Sequence, residues 1–176
     1  MLKQLKKLAV PAFLAILILL FSCCAAQKPN PLAYQVYPLT LDGSYTSNGI
    51  TADVYAKADS PGEGIVRYIS PETASGVTVT VSSGGTFLSL DSIVIPLENP
   101  EKISDAEIII AMMTLDPDKL VLVEAYSDKT SEAVFETAFG RVAVTFAQNG
   151  LPLKFETEDG SFVLYVKEFP GSDRAQ

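Results

Sequence analysis

The sequence contains no histidine among its 176 residues, and no tryptophan. The absence of histidine excludes Ser-His-Asp and Cys-His catalysis, histidine metal sites and a histidine pH switch. Cysteine is nearly absent too, because the only two, Cys23 and Cys24, are adjacent near the start of the chain. The residues after them can therefore form neither a disulfide framework nor a thiolate metal site.

Basic residues are scarce. The chain has 13 lysines and arginines against 21 aspartates and glutamates, for a formal charge of −8. Three of the basic residues and none of the acidic ones lie in the first 22 positions, so without that segment the charge would be −11. Because phosphate binding needs clustered lysine and arginine, we expect no nucleic-acid partner.

Motifs for cofactors, metals and nucleophiles are also missing. No Gly-x-Ser-x-Gly elbow and no glycine-rich phosphate loop occurs. Acidic residues cluster at Asp116 and Asp118 and again over 156–159, but neither cluster has the spacing of a calcium loop. The sequence therefore predicts no cofactor, no metal and no enzymatic activity, with acid–base catalysis by paired carboxylates as a distant alternative.

The first 22 residues have the organisation of a secretory signal peptide. Three lysines form a positive start, and residues 8–21 are apolar. This apolar stretch of about 14 residues is shorter than the roughly 20 that a membrane-spanning helix needs. Ser22 supplies the small residue before Cys23, so we predict a cleaved leader over residues 1–22.

The end of this leader, Leu20-Phe21-Ser22-Cys23, resembles the lipobox of bacterial lipoproteins processed by signal peptidase II. The resemblance implies cleavage before Cys23, a diacylglyceryl thioether on its sulfur and acylation of the new amine. Two acyl chains anchor stably, whereas one binds marginally. Cys24 is a rival acceptor, and an ordinary secreted protein or an uncleaved anchor is the alternative. We expect residues 23–33 to be the lipidated cysteine and its tether, at the extracytoplasmic face of the cell membrane, or at an outer membrane where one exists.

Alternation of apolar and more polar residues dominates positions 34–169, which we predict to form one domain. Residues 50–57 and 162–167 show this period of two, the signature of half-buried antiparallel strands. Turn signals such as Asn149-Gly150 separate the runs. The pattern predicts eight to ten strands in a meander, followed by a disordered tail over 170–176.

Two segments break the alternation. Residues 70–76 run from a capping serine through proline to glycine, which predicts one helical turn. Residues 103–115 begin with Ser104 and Glu107 at capping-box spacing, and the helix that follows is apolar almost all round. We expect this helix and the short turn to pack on the concave face of a curved antiparallel sheet, an incomplete barrel of the α+β, mainly β class.

This order of elements resembles the lipoprotein-carrier fold of the LolA/LolB-like superfamily. Ile69-Ser70-Pro71-Glu72 followed by Gly76-Val77-Thr78-Val79 resembles its strand–turn–strand passage, and Asn149-Gly150-Leu151-Pro152-Leu153 resembles its late hairpin. The resemblance implies an apolar cavity that holds acyl chains, together with a sheet arginine that grips the cargo. Arg67 is the nearest candidate for that arginine.

The candidate ligand-binding residues are therefore Arg67 and the helix residues Ile109, Ile110, Met112 and Met113. Adjacent methionines suit an adaptable apolar pocket. The same side chains also fit a filled core, because apolar stripes usually pack against other elements. Two functions follow: a membrane-anchored envelope lipoprotein that binds a lipid or other hydrophobic ligand, or a non-catalytic module that presents a sheet face or edge to an envelope protein partner.

Overall fold

The computed structural model describes residues 30–97, 103–125 and 130–169, which form eleven antiparallel strands and one α-helix. The strands belong to a single sheet whose order runs from the sixth strand back to the first, then from the eleventh back to the seventh. The elements are β1 (Leu39–Ser47), β2 (Ile50–Ser60), β3 (Glu63–Tyr68), β4 (Thr78–Ser82), β5 (Gly85–Leu90), β6 (Ile93–Pro96), α1 (Asp105–Met113), β7 (Leu120–Ala125), β8 (Ser131–Thr137), β9 (Gly140–Phe146), β10 (Pro152–Thr157) and β11 (Phe162–Glu168).

The strands follow from the alternation in the sequence. Every second residue of β1, from Leu39 to Ser47, is buried on the inner face of the sheet. The register pairs Gly43 with Val54, and Ala56 of β2 with Val66 of β3, so the buried positions of neighbouring strands meet. The predicted fold class is confirmed, and the sheet has eleven strands rather than eight to ten.

Helix α1 starts at the predicted capping box. The Ser104 hydroxyl accepts the N–H of Glu107 at 3.2 Å, and the Glu107 carboxylate accepts the N–H of Ser104 at 2.6 Å. The Thr114 hydroxyl donates to the carbonyl of Ile110 at 2.8 Å, which satisfies one of the last carbonyls. The helix packs against β2, β3 and β4. The predicted short turn is also present at Glu72–Ala74, without a buried residue.

The N-terminal segment before β1 is part of the packed domain. Leu32 is buried, and the ring of Tyr34 lies 6.1 Å from that of Phe146 and 5.8 Å from that of Phe169. Residues 31–33 are expected from the sequence to be tether, but the apolar Leu32 side chain joins the core.

The remaining terminal predictions concern residues outside the described ranges. These are the signal peptide over 1–22, Cys23, the tether as far as residue 29, and the tail over 170–176. Within the described ranges, no helix combines the length and the apolarity that crossing a membrane requires.

Candidate functional site

An apolar surface remains uncovered on the inner face of the sheet beyond the helix. The register connects the buried Val79 of β4 to Leu88 of β5 and then to Ile95 of β6, so all three face inward. Residues two positions away from them along the same strand share this face. Four inner residues there are 38–60% exposed, and we call them the β6 surface: Leu90, Ile93, Ile95 and Leu97.

The opposite edge of the sheet has a similar character. Leu120 and Val123 of β7 pair with Phe135 and Ala133, which are buried inner residues of β8. Leu120 and Val123 themselves are 37% and 41% exposed. Inner apolar side chains are thus uncovered at both edges of the sheet.

Hydrogen bonds accepted by the Glu107 carboxylate fix the start of the helix beside β5. Its carboxylate accepts the Thr86 hydroxyl of β5 at 2.5 Å in addition to the N–H of Ser104. Burial raises the pKa of Glu107, but these hydrogen bonds outweigh that effect and hold the pKa below its usual range. The carboxylate is therefore ionised near neutral pH and links the first turn of α1 to β5.

Asp105 links the same turn to β1. Its carboxylate accepts the hydroxyl groups of Tyr45 and Ser47, each at 3.1 Å. Burial is the main cause that raises the pKa of Tyr45 far above its usual value, with the neighbouring Tyr68 and Asp105 adding to it. The Tyr45 hydroxyl therefore stays protonated and donates to Asp105. Hydrogen bonds from β1 and β5 thus both fix the start of α1.

The predicted helix residues come together in the core. Ile109, Ile110, Met112 and Met113 are each at most 1% exposed, and they pack against buried side chains of the sheet. They therefore belong to the core and are not part of the uncovered apolar surface.

Arg67 lies on the other face of the sheet. It pairs with Tyr55 of β2 and Thr78 of β4, out of phase with the inward Val66. Its guanidinium carbon is 5.9 Å from the centroid of the Tyr55 ring, a cation–π contact. The structure therefore does not bring Arg67 together with the helix residues.

A cavity of about 510 Å³ opens to solvent beside the C-terminal end of α1. Its walls combine apolar side chains with polar and charged ones, and it is open to solvent, so it offers no continuous apolar surface for an acyl chain. The residues that line it are Gly62, Ala111, Thr114, Leu115, Asp116, Lys119, Glu136, Thr137 and Ala138.

The acidic clusters form local caps and turns. Asp116 accepts the N–H of Asp118 at 2.9 Å, at the start of a short helical turn. Asp159 accepts the Thr157 hydroxyl and the Ser161 N–H, and these hydrogen bonds hold the pKa of its carboxyl below the usual range. Among the residues that the structure describes, no three potential ligand side chains group around a metal position.

Sequence reasoning misses the β6 surface. The segment Ile93-Val94-Ile95-Pro96-Leu97 is apolar without alternation, so the period that identifies half-buried strands is absent. Its one available signal is the proline, which within a strand indicates a sheet edge.

No protein-family model matches the chain, and no curated protein matches it. Among solved structures, a LolA superfamily protein from Nitrosomonas europaea has 12% identity over 80% of this chain and 89% of its own, with a TM-score of 0.44.

Two other solved structures have comparable values. A conserved protein from Thermus thermophilus has 13% identity over 76% of this chain and 78% of its own, with a TM-score of 0.42. A DUF1329 family protein from Desulfovibrio piger has 13% identity over 69% of this chain and 66% of its own, with a TM-score of 0.40.

Proposed function

We propose that this protein is a non-catalytic envelope lipoprotein, anchored through Cys23, that binds a lipid or other hydrophobic ligand on the inner face of its incomplete barrel. The observation that supports the proposal is the β6 surface. Soluble domains rarely expose contiguous apolar side chains, and where they do, the exposed patch usually binds a ligand or a partner.

The area of the β6 surface sets the affinity to expect. Complete burial of a leucine or isoleucine side chain contributes about 1.5–3 kcal/mol. Four side chains that are about half exposed therefore contribute about 4 kcal/mol from the protein's side of the contact, to which the ligand's own buried surface adds and from which the entropy lost on association subtracts. Tighter binding requires further apolar area, and Ile109, Ile110, Met112 and Met113 could supply it only by separating α1 from the sheet.

A matched pair of variants tests this site. Ile95 is 50% exposed on the inner face, and Val94 is 63% exposed on the outer face of the same strand. In the mature chain carrying Cys23→Ser and Cys24→Ser, we expect Ile95→Asp to weaken binding of a fluorescent acyl chain about tenfold, since it removes about 1.4 kcal/mol. We expect Val94→Asp to bind as the unsubstituted chain does. Equal effects of the two variants would contradict the proposed site.

A filled core favours a second candidate function. Phe135, Phe155 and the inner residues of α1 are buried in one hydrophobic core. The domain would then be a non-catalytic interaction module for an envelope protein partner. Native mass spectrometry separates the two functions, because a co-purifying lipid supports the first. An empty protein that also ignores acyl probes supports the second.

Anchoring needs its own experiment. We expect metabolic labelling with a palmitate analogue to mark the protein and to be lost in Cys23→Ala, together with its membrane fraction. Cys24→Ala is the matched control and should stay labelled. Continued labelling of Cys23→Ala would rule out Cys23 as the acceptor.

A further inference from the structure

The sheet ends at β7, and the described part of the chain places no strand beyond it. The first four residues of β7 are apolar and 37–50% exposed: Leu120, Val121, Leu122 and Val123. An edge strand presents unpaired backbone N–H and C=O groups, so it can accept another strand. The other edge strand, β6, contains Pro96, whereas β7 contains no proline. Of the two edges, β7 therefore offers the fuller set of backbone groups.

A bulge determines which side chains of β7 share a face. The register with β8 shifts between Leu120 and Leu122, so Val121 is an extra residue. Leu120 and Val123 are three positions apart and would face opposite sides of a regular strand. Because of the bulge, both pair with buried inner residues of β8. An antiparallel second copy of β7 matches this spacing, since Leu120 of one copy can lie opposite Val123 of the other on the same face.

The two ends of β7 have opposite charges. Lys119 directly precedes the strand, Glu124 is its fifth residue, and both side chains are exposed. Neither forms an ion pair with any other residue that the structure describes. With Leu120 opposite Val123 of a second copy, Lys119 lies opposite Glu124 of that copy, and the pair occurs twice. A parallel arrangement would instead place like charges side by side.

The neighbouring strand gives Glu124 no favourable partner. Glu124 pairs directly with Glu132 of β8, and like charges directly opposite each other are destabilising. The lysine of the same row, Lys154, lies two strands further on, in β10, and forms an ion pair with Glu156. A cation on an added strand would relieve the repulsion at this edge. Lys119 of a second, antiparallel copy is placed to supply it.

We propose that β7 is a pairing surface for a second copy of this chain, which adds its own β7 antiparallel about a two-fold axis beside Val121 and Leu122. The two sheets then join into one, and the inner face of each copy continues into that of the other. The occupant is a second copy because the charges and the inner side chains of β7 complement those of the same strand reversed.

The pairing is weak in solution, because the contact is small. Four half-exposed valines and leucines bury on the order of 200 Å² of apolar area per copy. A stable interface buries about 800 Å² per partner. Copies held on one membrane meet at a much higher effective concentration. The inference therefore rests on the proposed anchor at Cys23, and we expect dimers of the anchored protein.

Disulfide cross-linking measures the pairing. In the lipidated protein carrying Cys24→Ser, the Cys23 sulfur is held in the thioether, so Leu122→Cys supplies the free thiol. Next to the axis, the same residue of two copies has a Cα separation of about 6 Å, which a disulfide can span. Val94→Cys, at a residue of β6 that is 63% exposed, is the control for random collision. In phosphatidylcholine vesicles with copper phenanthroline, we expect covalent dimers to form at least tenfold faster through position 122.

Charge reversal tests whether the pairing is antiparallel and between copies. In the Leu122→Cys protein, Glu124→Lys places a lysine opposite Lys119 in both contacts, and we expect cross-linking to slow about fivefold to tenfold. The substitution also removes the repulsion with Glu132, so it should not weaken the fold. The double variant Lys119→Glu, Glu124→Lys restores opposite charges at both contacts and should recover the original rate.

The outcomes separate the pairing surface from the anchor. Equal cross-linking through positions 122 and 94, or a double variant as slow as Glu124→Lys, would overturn the pairing surface and leave the anchor intact. A protein that does not float with the vesicles would overturn the anchor. The same cross-linking at millimolar concentration in solution then tests β7 alone, and equal rates at the two positions there would overturn the pairing as well.

Discussion

Two tyrosines of the domain differ in what their hydroxyl groups contact. The Tyr45 hydroxyl donates to the Asp105 carboxylate at 3.1 Å, and its ring stacks on Phe162 at 5.1 Å. The Tyr34 hydroxyl is buried without a hydrogen-bond partner among the described residues. A buried polar group without a partner loses its hydration and gains nothing in exchange. The same functional group therefore has opposite effects on stability at the two positions.

Replacing each tyrosine by phenylalanine tests this difference. We expect Tyr34→Phe to leave the free energy of unfolding unchanged or to raise it by up to about 1 kcal/mol. Tyr45→Phe should lower it by about 2 kcal/mol, since it removes one of the two hydroxyl donors to the partly buried Asp105 carboxylate. Urea unfolding of the two variants gives both values. A loss of more than about 1 kcal/mol in Tyr34→Phe would show that its hydroxyl has a partner.

Among the elements, the helix and the sheet meet closely at one glycine. A Cβ on Gly64 of β3 would lie 2.2 Å from the carbonyl oxygen of Lys57 and 2.8 Å from Cδ1 of Ile110. The first contact is with backbone of β2, which cannot move without disturbing the ladder. Only glycine therefore fits between β2 and the inner side of α1.

Alanine substitution tests this close contact. We expect Gly64→Ala to lower the free energy of unfolding by about 2–3 kcal/mol, as for other overpacked interiors. Gly84→Ala is the control, because its Cβ would meet nothing closer than the Ser82 hydroxyl at 3.7 Å. That variant should stay within about 0.5 kcal/mol of the unsubstituted chain. Equal effects of both substitutions in urea unfolding would show that the backbone of β2 and the Ile110 side chain can both move to make room for the Cβ.

Elements with a strong local pattern are predictable from this sequence. Ser104 and Glu107 identify the start of α1 because the capping box uses only local hydrogen bonds. The alternation that places Val66 inward places Arg67 outward, so the face of Arg67 is readable from the pattern. Only the family resemblance indicates Arg67 as a cavity residue. The packing of Leu32 depends on core residues that are distant in the sequence, which no local pattern encodes.

The exposed apolar faces of the edge strands cannot be predicted from the sequence, for a different reason. Both β6 and β7 are apolar on two faces, with Ile93 and Val94 at least 60% exposed and Val121 and Leu122 about half exposed. Period-two reasoning assumes one buried and one solvated face, and neither edge meets that condition. The candidate binding surface therefore cannot be recognised from the sequence, because its strand is apolar on both faces and shows no alternation.

In the molecule as a whole, the two free edges of the sheet differ in their hydrogen-bonding capacity. The Leu97 N–H donates to the carbonyl of Thr86 in β5 at 2.8 Å. Since backbone groups alternate in an antiparallel ladder, Val94 and Pro96 direct theirs to the free edge of β6. Proline has no N–H, so this apolar edge offers a partner strand one donor fewer. The other edge strand, β7, contains no proline.

Restoring the missing donor should make the β6 edge associate. We expect Pro96→Val to lower the concentration at which the chain self-associates about tenfold, because an antiparallel pair of copies gains one hydrogen bond from each, and about 1.4 kcal/mol is tenfold. Sedimentation velocity over a concentration series measures the shift. The double variant Pro96→Val, Val94→Lys should return to the behaviour of the unsubstituted chain, since lysine at an edge opposes strand pairing. Association of Pro96→Val at unchanged concentration would show that the proline does not protect this edge, and β7 would then be the strand through which copies meet.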